Sequence, residues 1–198
     1  MPGFSPSKVE RTMDNTVKIP KFLHDFHGEQ SNWLDIASIH LIAILTTIIT
    51  LYLADDLPLP PWKKFLLIGL AYDLGGGVVA NFTYSTNLHY DQSLKRRLVF
   101  LSLHFLQPIG LTLVFPDQMM GIVIFSAYIV AAAFIVNAIQ DPQRQLTLGA
   151  LLTATGIIAL QGIPLDLHPP LKLLLTIFLL KLPLSFAVRW FRLKKIGS

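Results

Sequence analysis

The chain has 198 residues, 53% of them hydrophobic and only 14% charged, with a formal net charge of +4 and a mean hydropathy of +0.55. That composition suits one compact domain set in a membrane, and it argues against a soluble protein or a nucleic-acid-binding module, whose cations would form a stripe on a folded soluble face. Cysteine is absent, which removes disulfides, thiolate nucleophiles and cysteine-bound metals or clusters.

Residues 1–32 mix Lys8, Arg11, Lys18 and Lys21 with Glu10, Asp14, Asp25 and Glu29. They lack the apolar stretch of a secretory signal, so this segment is expected to stay in the mature protein, on the cytoplasmic side. Residues 22–27 read as a short interfacial helix. Within them His24 and His27 are three apart and could meet one metal, with Asp25, Glu29 and His40 as further ligands. Two histidines make an incomplete set, and the sequence assigns no metal.

Beyond this segment, residues 33–54, 62–81, 98–115, 119–138, 146–163 and 171–190 each approach the roughly 20 apolar residues that cross a bilayer as a helix. Proline clusters stop these helices and stiffen the links, as in residues 58–61 and 164–170. The expected fold is an all-α membrane protein, a single bundle of six transmembrane helices over residues 33–190, followed by a basic tail at 191–198. Lys and Arg concentrate at one end of the crossings: Lys8, Arg11, Lys18, Lys21, Lys95, Arg96, Arg97, Arg144, Arg189, Arg192, Lys194 and Lys195, against Lys63, Lys64 and Lys172 at the other. Both termini are therefore expected to be cytoplasmic, in a plasma or inner membrane. Residues 46–70 and 155–179 share a faint echo, each with Thr-x-Ile-Ile-x-Leu, a Pro-Pro pair and a following lysine. The echo sets Asp73 and Lys181 at similar depth in two helices that run the same way.

The second crossing carries the one carboxylate deep in an apolar run, in Gly69-Leu-Ala-Tyr-Asp73-Leu-Gly-Gly-Gly77. An ionisable side chain near the bilayer centre costs about 2.5–3.5 kcal/mol on insertion scales, so Asp73 should face protein, water or a counter-charge. Lys181 matches it in sign and depth, and an Asp73–Lys181 ion pair is expected. At 100° per residue Gly69, Asp73, Gly76 and Gly77 share one face, which suits close helix packing and would serve a homo-oligomer through Gly69, Gly76 and Gly77. A continuation of this helix past Asn81 would add Thr83 and Asn87 to that face.

His40 in the first crossing and His104 in the third lie at depths comparable with Asp73, with Arg97 and Gln107 on the same face as His104. Asp73, His104 and His40 are thus candidate acid–base groups around one cytoplasm-facing cavity. Asn81, Thr83, Thr86, Arg96, Arg97 and Gln107 are candidate contacts for an amphiphilic or anionic-headgroup substrate, the arginines offering bidentate forks. No zincin, nucleophile-elbow, P-loop or dinucleotide motif occurs, and no cofactor is indicated. The reading that follows is a membrane-embedded enzyme working on a lipid-like substrate from the cytoplasmic leaflet. A small proton-coupled transporter and a non-catalytic assembly protein are the alternatives.

Overall fold

The computed structural model describes residues 16–190, apart from the side chain of Asp25. The basic residues Lys8, Arg11, Arg192, Lys194 and Lys195 lie outside that range. The described chain opens with a feature that the all-α expectation omits, an antiparallel ribbon of β1 (Thr16–Lys18) and β2 (Gln30–Asn32), with Thr16 opposite Asn32 and Lys18 opposite Gln30. Three-residue strands carry too little alternation to register as a period of two. Between them the chain doubles back through a 3₁₀ turn at Lys21–Leu23 and helix α1 (His24–His27). It leaves α1 at Gly28 with φ 72°, and a side chain there would collide with Ser85.

Helix α2 (Trp33–Leu53) is capped by Asn32, whose side chain accepts from the Leu34 N–H at 2.9 Å. Helix α3 (Pro61–Phe82) begins with proline, which loses nothing at a first turn whose N–H groups have no helical partner. It ends at Phe82 instead of running on as a single helix. Thr83 adopts an extended conformation and caps a separate helix, α4 (Tyr84–Asp91), so Thr83 and Asn87 leave the stripe that carries Asp73.

Helices α5 (Leu94–Leu103) and α6 (Leu106–Val114) form one span, α7 (Met119–Ala138) and α8 (Pro142–Gly162) the next two, and α9 (Pro169–Leu179) with a π-helical segment at Leu180–Phe186 the last. Together with α2 and α3 these make six spans long and apolar enough to cross a membrane, the make-up of a multi-pass integral membrane protein. Two spans start four residues earlier than hydropathy alone indicates. Ser93 and Asp141 cap them, accepting from the N–H groups of Arg96 at 3.3 Å and Arg144 at 2.7 Å. Outward faces stay apolar along the spans, with Leu41, Ile44, Leu45 and Ile48 exposed on α2 and Met120, Val123 and Ile124 on α7. A water-soluble fold would bury such faces.

Helix α3 packs against α2, α6, α9 with its π segment, and the short α1 and α4. Its glycines explain this. Side chains added at Gly75, Gly76 and Gly77 would strike Thr46, then Phe26 and Ala43, then Lys181, whereas Gly69 faces open space. Two of the three glycines assigned to a homo-oligomer face are therefore taken up inside the chain. Helices α3 and α9 lie side by side and run the same way, since Asp73 meets Lys181 and Phe82 meets Trp190 nine residues further along both.

A layer of carbonyl-capping side chains closes one end. Arg97, only 1% exposed, donates to the carbonyls of Phe186 at 2.8 Å and Ala187 at 3.0 Å, and to the Asn137 side chain at 2.8 Å. Gln145 donates to the carbonyls of Val136 and Ile139 and accepts from the Arg189 backbone N–H at 2.8 Å. Cations on helix-terminal carbonyls satisfy orphan acceptors and complement the helix dipole.

Candidate functional site

Asp73 sits twelve residues into α3 from Pro61 and nine from Phe82, about 18 Å and about 14 Å from its two ends. That is close to the middle of the span. Its Oδ2 lies 2.7 Å from Lys181 Nζ and 3.0 Å from Gln107 Nε2, and the ammonium also donates to the Asp73 backbone carbonyl at 3.2 Å. The lysine side chain is 3% exposed and the aspartate 44%. The lysine stem can lie this close because position 77 has no side chain for Lys181 Cε to meet. A charge so deep needs a partner, because stripping it of water costs several kcal/mol that only close opposite charge and hydrogen bonds offset.

Both flanking helices break at this pair. In the last span Pro183 cannot donate to the Leu179 carbonyl, which accepts instead from Thr153 Oγ1 at 3.4 Å. The Lys181 carbonyl is likewise served by side chains, Ser185 Oγ at 2.7 Å and Asn81 Nδ2 at 3.4 Å, and Ala187 N–H reaches back five residues to Leu182. π-helical turns of this kind are frequent at functional sites. In the third span Pro108 has no N–H for the His104 carbonyl, and the helix tightens to three-residue bonds at His104 and Phe105 before resuming as α6.

His104 occupies this second break, its ring 4.3 Å from that of Phe100 and 6.1 Å from that of Phe178. Its Nδ1 lies 2.7 Å from the Phe100 carbonyl, which can only accept, so Nδ1 carries the proton and Nε2 a lone pair. Nε2 of His104 and Oε1 of Gln107 are both buried without a hydrogen-bond partner among the described residues. The residues beside the ion pair thus add two acceptors without a partner to the carboxylate that holds the ammonium.

His40 is not in this group. Its Nδ1 is bonded to the Tyr72 hydroxyl, and its ring lies 5.2 Å from that of His27. Burial first and the neighbouring His40 second hold His27 below its ordinary pKa, leaving that ring neutral. The three expected acid–base groups thus fall into two clusters, reached from adjacent residues of α3 that point about 100° apart.

The expected substrate contacts divide similarly. Asn81 bonds the π segment, Thr83 Oγ1 donates to the Ala80 carbonyl at 2.8 Å, and Thr86 Oγ1 donates to the Phe26 carbonyl at 3.2 Å. All three are buried, holding backbone groups that the chain's turns would otherwise leave unpaired. Arg97 is spent on helix ends. Arg96 alone of the loop candidates faces outward, donating to the His89 carbonyl at 3.4 Å, and Gln107 belongs to the ion pair. Two open grooves of about 580 and 250 Å³ run along α5–α6 and along the start of α3, and neither is lined by Asp73, His40 or His104.

Sequence reasoning missed Tyr72, Thr153 and Ser185, which read as ordinary polar residues in apolar helices. Thr153 and Ser185 had one usable signal, since a proline inside a crossing obliges some neighbour to serve its orphan carbonyl. Comparison with known proteins adds no relationship to this geometry: no family model, no curated protein and no solved structure matches the chain.

Proposed function

We propose that this chain is a small proton-coupled carrier for a cationic solute, with Asp73 exchanging its partner between the Lys181 ammonium and the cargo. The observation that carries the reading is the meeting of two proline-interrupted spans at an Asp73–Lys181 pair near the middle of α3, with the lysine enclosed. Discontinuous helices that hold an ion site at mid-membrane are a recurring construction of secondary carriers. The donor–acceptor balance supports a cationic cargo. Carboxylate, imidazole Nε2 and amide Oε1 all accept, and the ammonium already there has the chemistry of the ligand it would give way to. When a cation binds the carboxylate, Lys181 loses its partner and gives up a proton, so cation uptake in one direction is balanced by proton release.

An embedded acid–base enzyme would want His40, His104 and Asp73 around one cavity, and His40 bonded to Tyr72 argues against it. The assembly reading needs the glycine face free for a second helix, whereas Gly76 and Gly77 meet Phe26 and Lys181. The test uses tag-free protein in sealed vesicles with a luminal pH dye, under imposed gradients of sodium, potassium, ammonium and methylammonium. At least one gradient should drive opposite proton movement in the wild type, and Asp73→Asn should abolish it. Vesicles as proton-tight as protein-free ones across the panel, or a wild-type rate in Asp73→Asn, would refute the proposal.

A further inference from the structure

A second polar cluster lies away from the Asp73–Lys181 pair and does not depend on the carrier reading. His24 from α1, Glu29 from the loop before β2 and His89 from α4 each bring one potential ligand atom to a common point, with those atoms within 4.8 Å of one another. The arrangement is built from both sides. Ile19 N–H donates to the Glu29 carbonyl at 3.1 Å and closes the ribbon, while Gly28, packed on Ser85, presses the loop against the start of α4.

We propose that His24, Glu29 and His89 form a binding site for a divalent transition metal of the zinc type, which clips the amino-terminal ribbon to α4. The ligand chemistry is two imidazoles and one carboxylate, a set suited to tetrahedral Zn²⁺ with one position left for water. One nitrogen of His24 is already engaged by the backbone. Its Nε2 lies 2.8 Å from the Ile19 carbonyl, which can only accept, so Nε2 donates and Nδ1 is left with the lone pair. Metal-ligating histidines are ordinarily held this way, the second nitrogen donating to a backbone carbonyl or carboxylate. His89 Nδ1 lies 3.8 Å from Glu29 Oε1, and the two imidazole rings are 5.9 Å apart, edge to face.

Metal bonds near 2.0–2.1 Å at tetrahedral angles put ligand atoms about 3.3 Å apart, so binding requires a modest inward shift. Glu29 can supply it, being 60% exposed at the side chain, while His89 at 9% stays fixed. The site differs from the pairing that sequence spacing offers, because His27 turns away to His40. It joins residues 60 positions apart, where a cross-link restricts the unfolded chain most.

Full-length, tag-free protein in detergent, stripped with chelator, is titrated with Co²⁺ as an optical probe and with Zn²⁺ as competitor. One saturating site per chain with tetrahedral Co²⁺ bands is expected, together with a Zn²⁺-dependent rise in melting temperature. Second-shell changes alone weaken metal sites about 10–100-fold, so loss of a ligand in His24→Ala or His89→Ala should exceed that. Glu29→Gln, at an exposed position, should lower affinity while leaving metal-free stability unchanged, which covers the case in which His89→Ala fails to fold. His27→Asn should bind like the wild type. The absence of a saturable spectrum overturns the site, as does unchanged affinity in His24→Ala and Glu29→Gln. Binding that survives His24→Ala but is lost in His27→Asn would assign the metal to the His27–His40 pair and overturn it equally.

Discussion

At the scale of single residues, the asymmetry between Lys181 and Asp73 decides how each will respond to substitution. The lysine is enclosed, stem against Gly77 and ammonium against two oxygens of Asp73, whereas nearly half of the aspartate side chain is open. Removing the carboxylate leaves the enclosed lysine without its counter-charge or a route to water, and removing the lysine leaves a carboxylate that Gln107 and the open side can still serve. Breaking a buried pair costs about 3–5 kcal/mol in soluble proteins, and Asp73→Asn should fall at that end. Lys181→Met should cost less, and the double substitution less than the sum of the two. Thermal unfolding in detergent of the two single variants and the double reads this directly. Strictly additive losses would mean that the charges contribute separately, against the 2.7 Å geometry.

At the scale of elements, the proline breaks show what a sequence does and does not disclose. The crossings themselves are legible because a run of some 20 apolar residues has few other uses. Asp73 and Lys181 are legible too, since charges in such runs stand out. The helix starts at Leu94 and Pro142 are not, because Ser93 and Asp141 set them through capping bonds that hydropathy does not weigh. Neither is the division of His40 from His104, which depends on which way adjacent residues of α3 face and on a Tyr72 hydroxyl that no motif marks. The π segment sits between these cases: Pro183 announces a break, but its repair by Thr153 from α8 requires the packing of two successive helices against each other. This repair is testable. Thr153→Val should leave the Leu179 carbonyl unsatisfied and lower stability by about 1–3 kcal/mol. In a Pro183→Ala background, where a backbone N–H returns, the same change should cost markedly less. Equal losses in both backgrounds would mean that Thr153 serves packing rather than the carbonyl.

At the scale of the whole molecule, orientation rests on charge, and the structure sharpens which charges count. Arg97 and Arg189 are buried among helix-end carbonyls, so their position follows from capping. Lys63 is also engaged, donating to the Val114 carbonyl at 2.9 Å at the opposite end. Setting all three aside leaves Lys18, Lys21, Lys95, Arg96 and Arg144 at one end among the described residues, and Lys64 and Lys172 at the other. The bias survives, and it predicts that the end carrying β1, β2 and α4 faces the cytoplasm. The metal ligands would then meet the cytosol, and any cation moving inward past Asp73 would be exchanged for an outgoing proton. Because the chain has no cysteine, single cysteines can report the topology without a background. Gln92, Asp56 and Asp166 are exposed in links between helices, and Gln143 is exposed in the first turn of α8. A membrane-impermeant maleimide applied to intact cells should label Asp56→Cys and Asp166→Cys, and should reach Gln92→Cys and Gln143→Cys only after permeabilisation. The inverse pattern would turn the protein over, and labelling of one site from each pair would break the count of six crossings on which the placement of both sites depends.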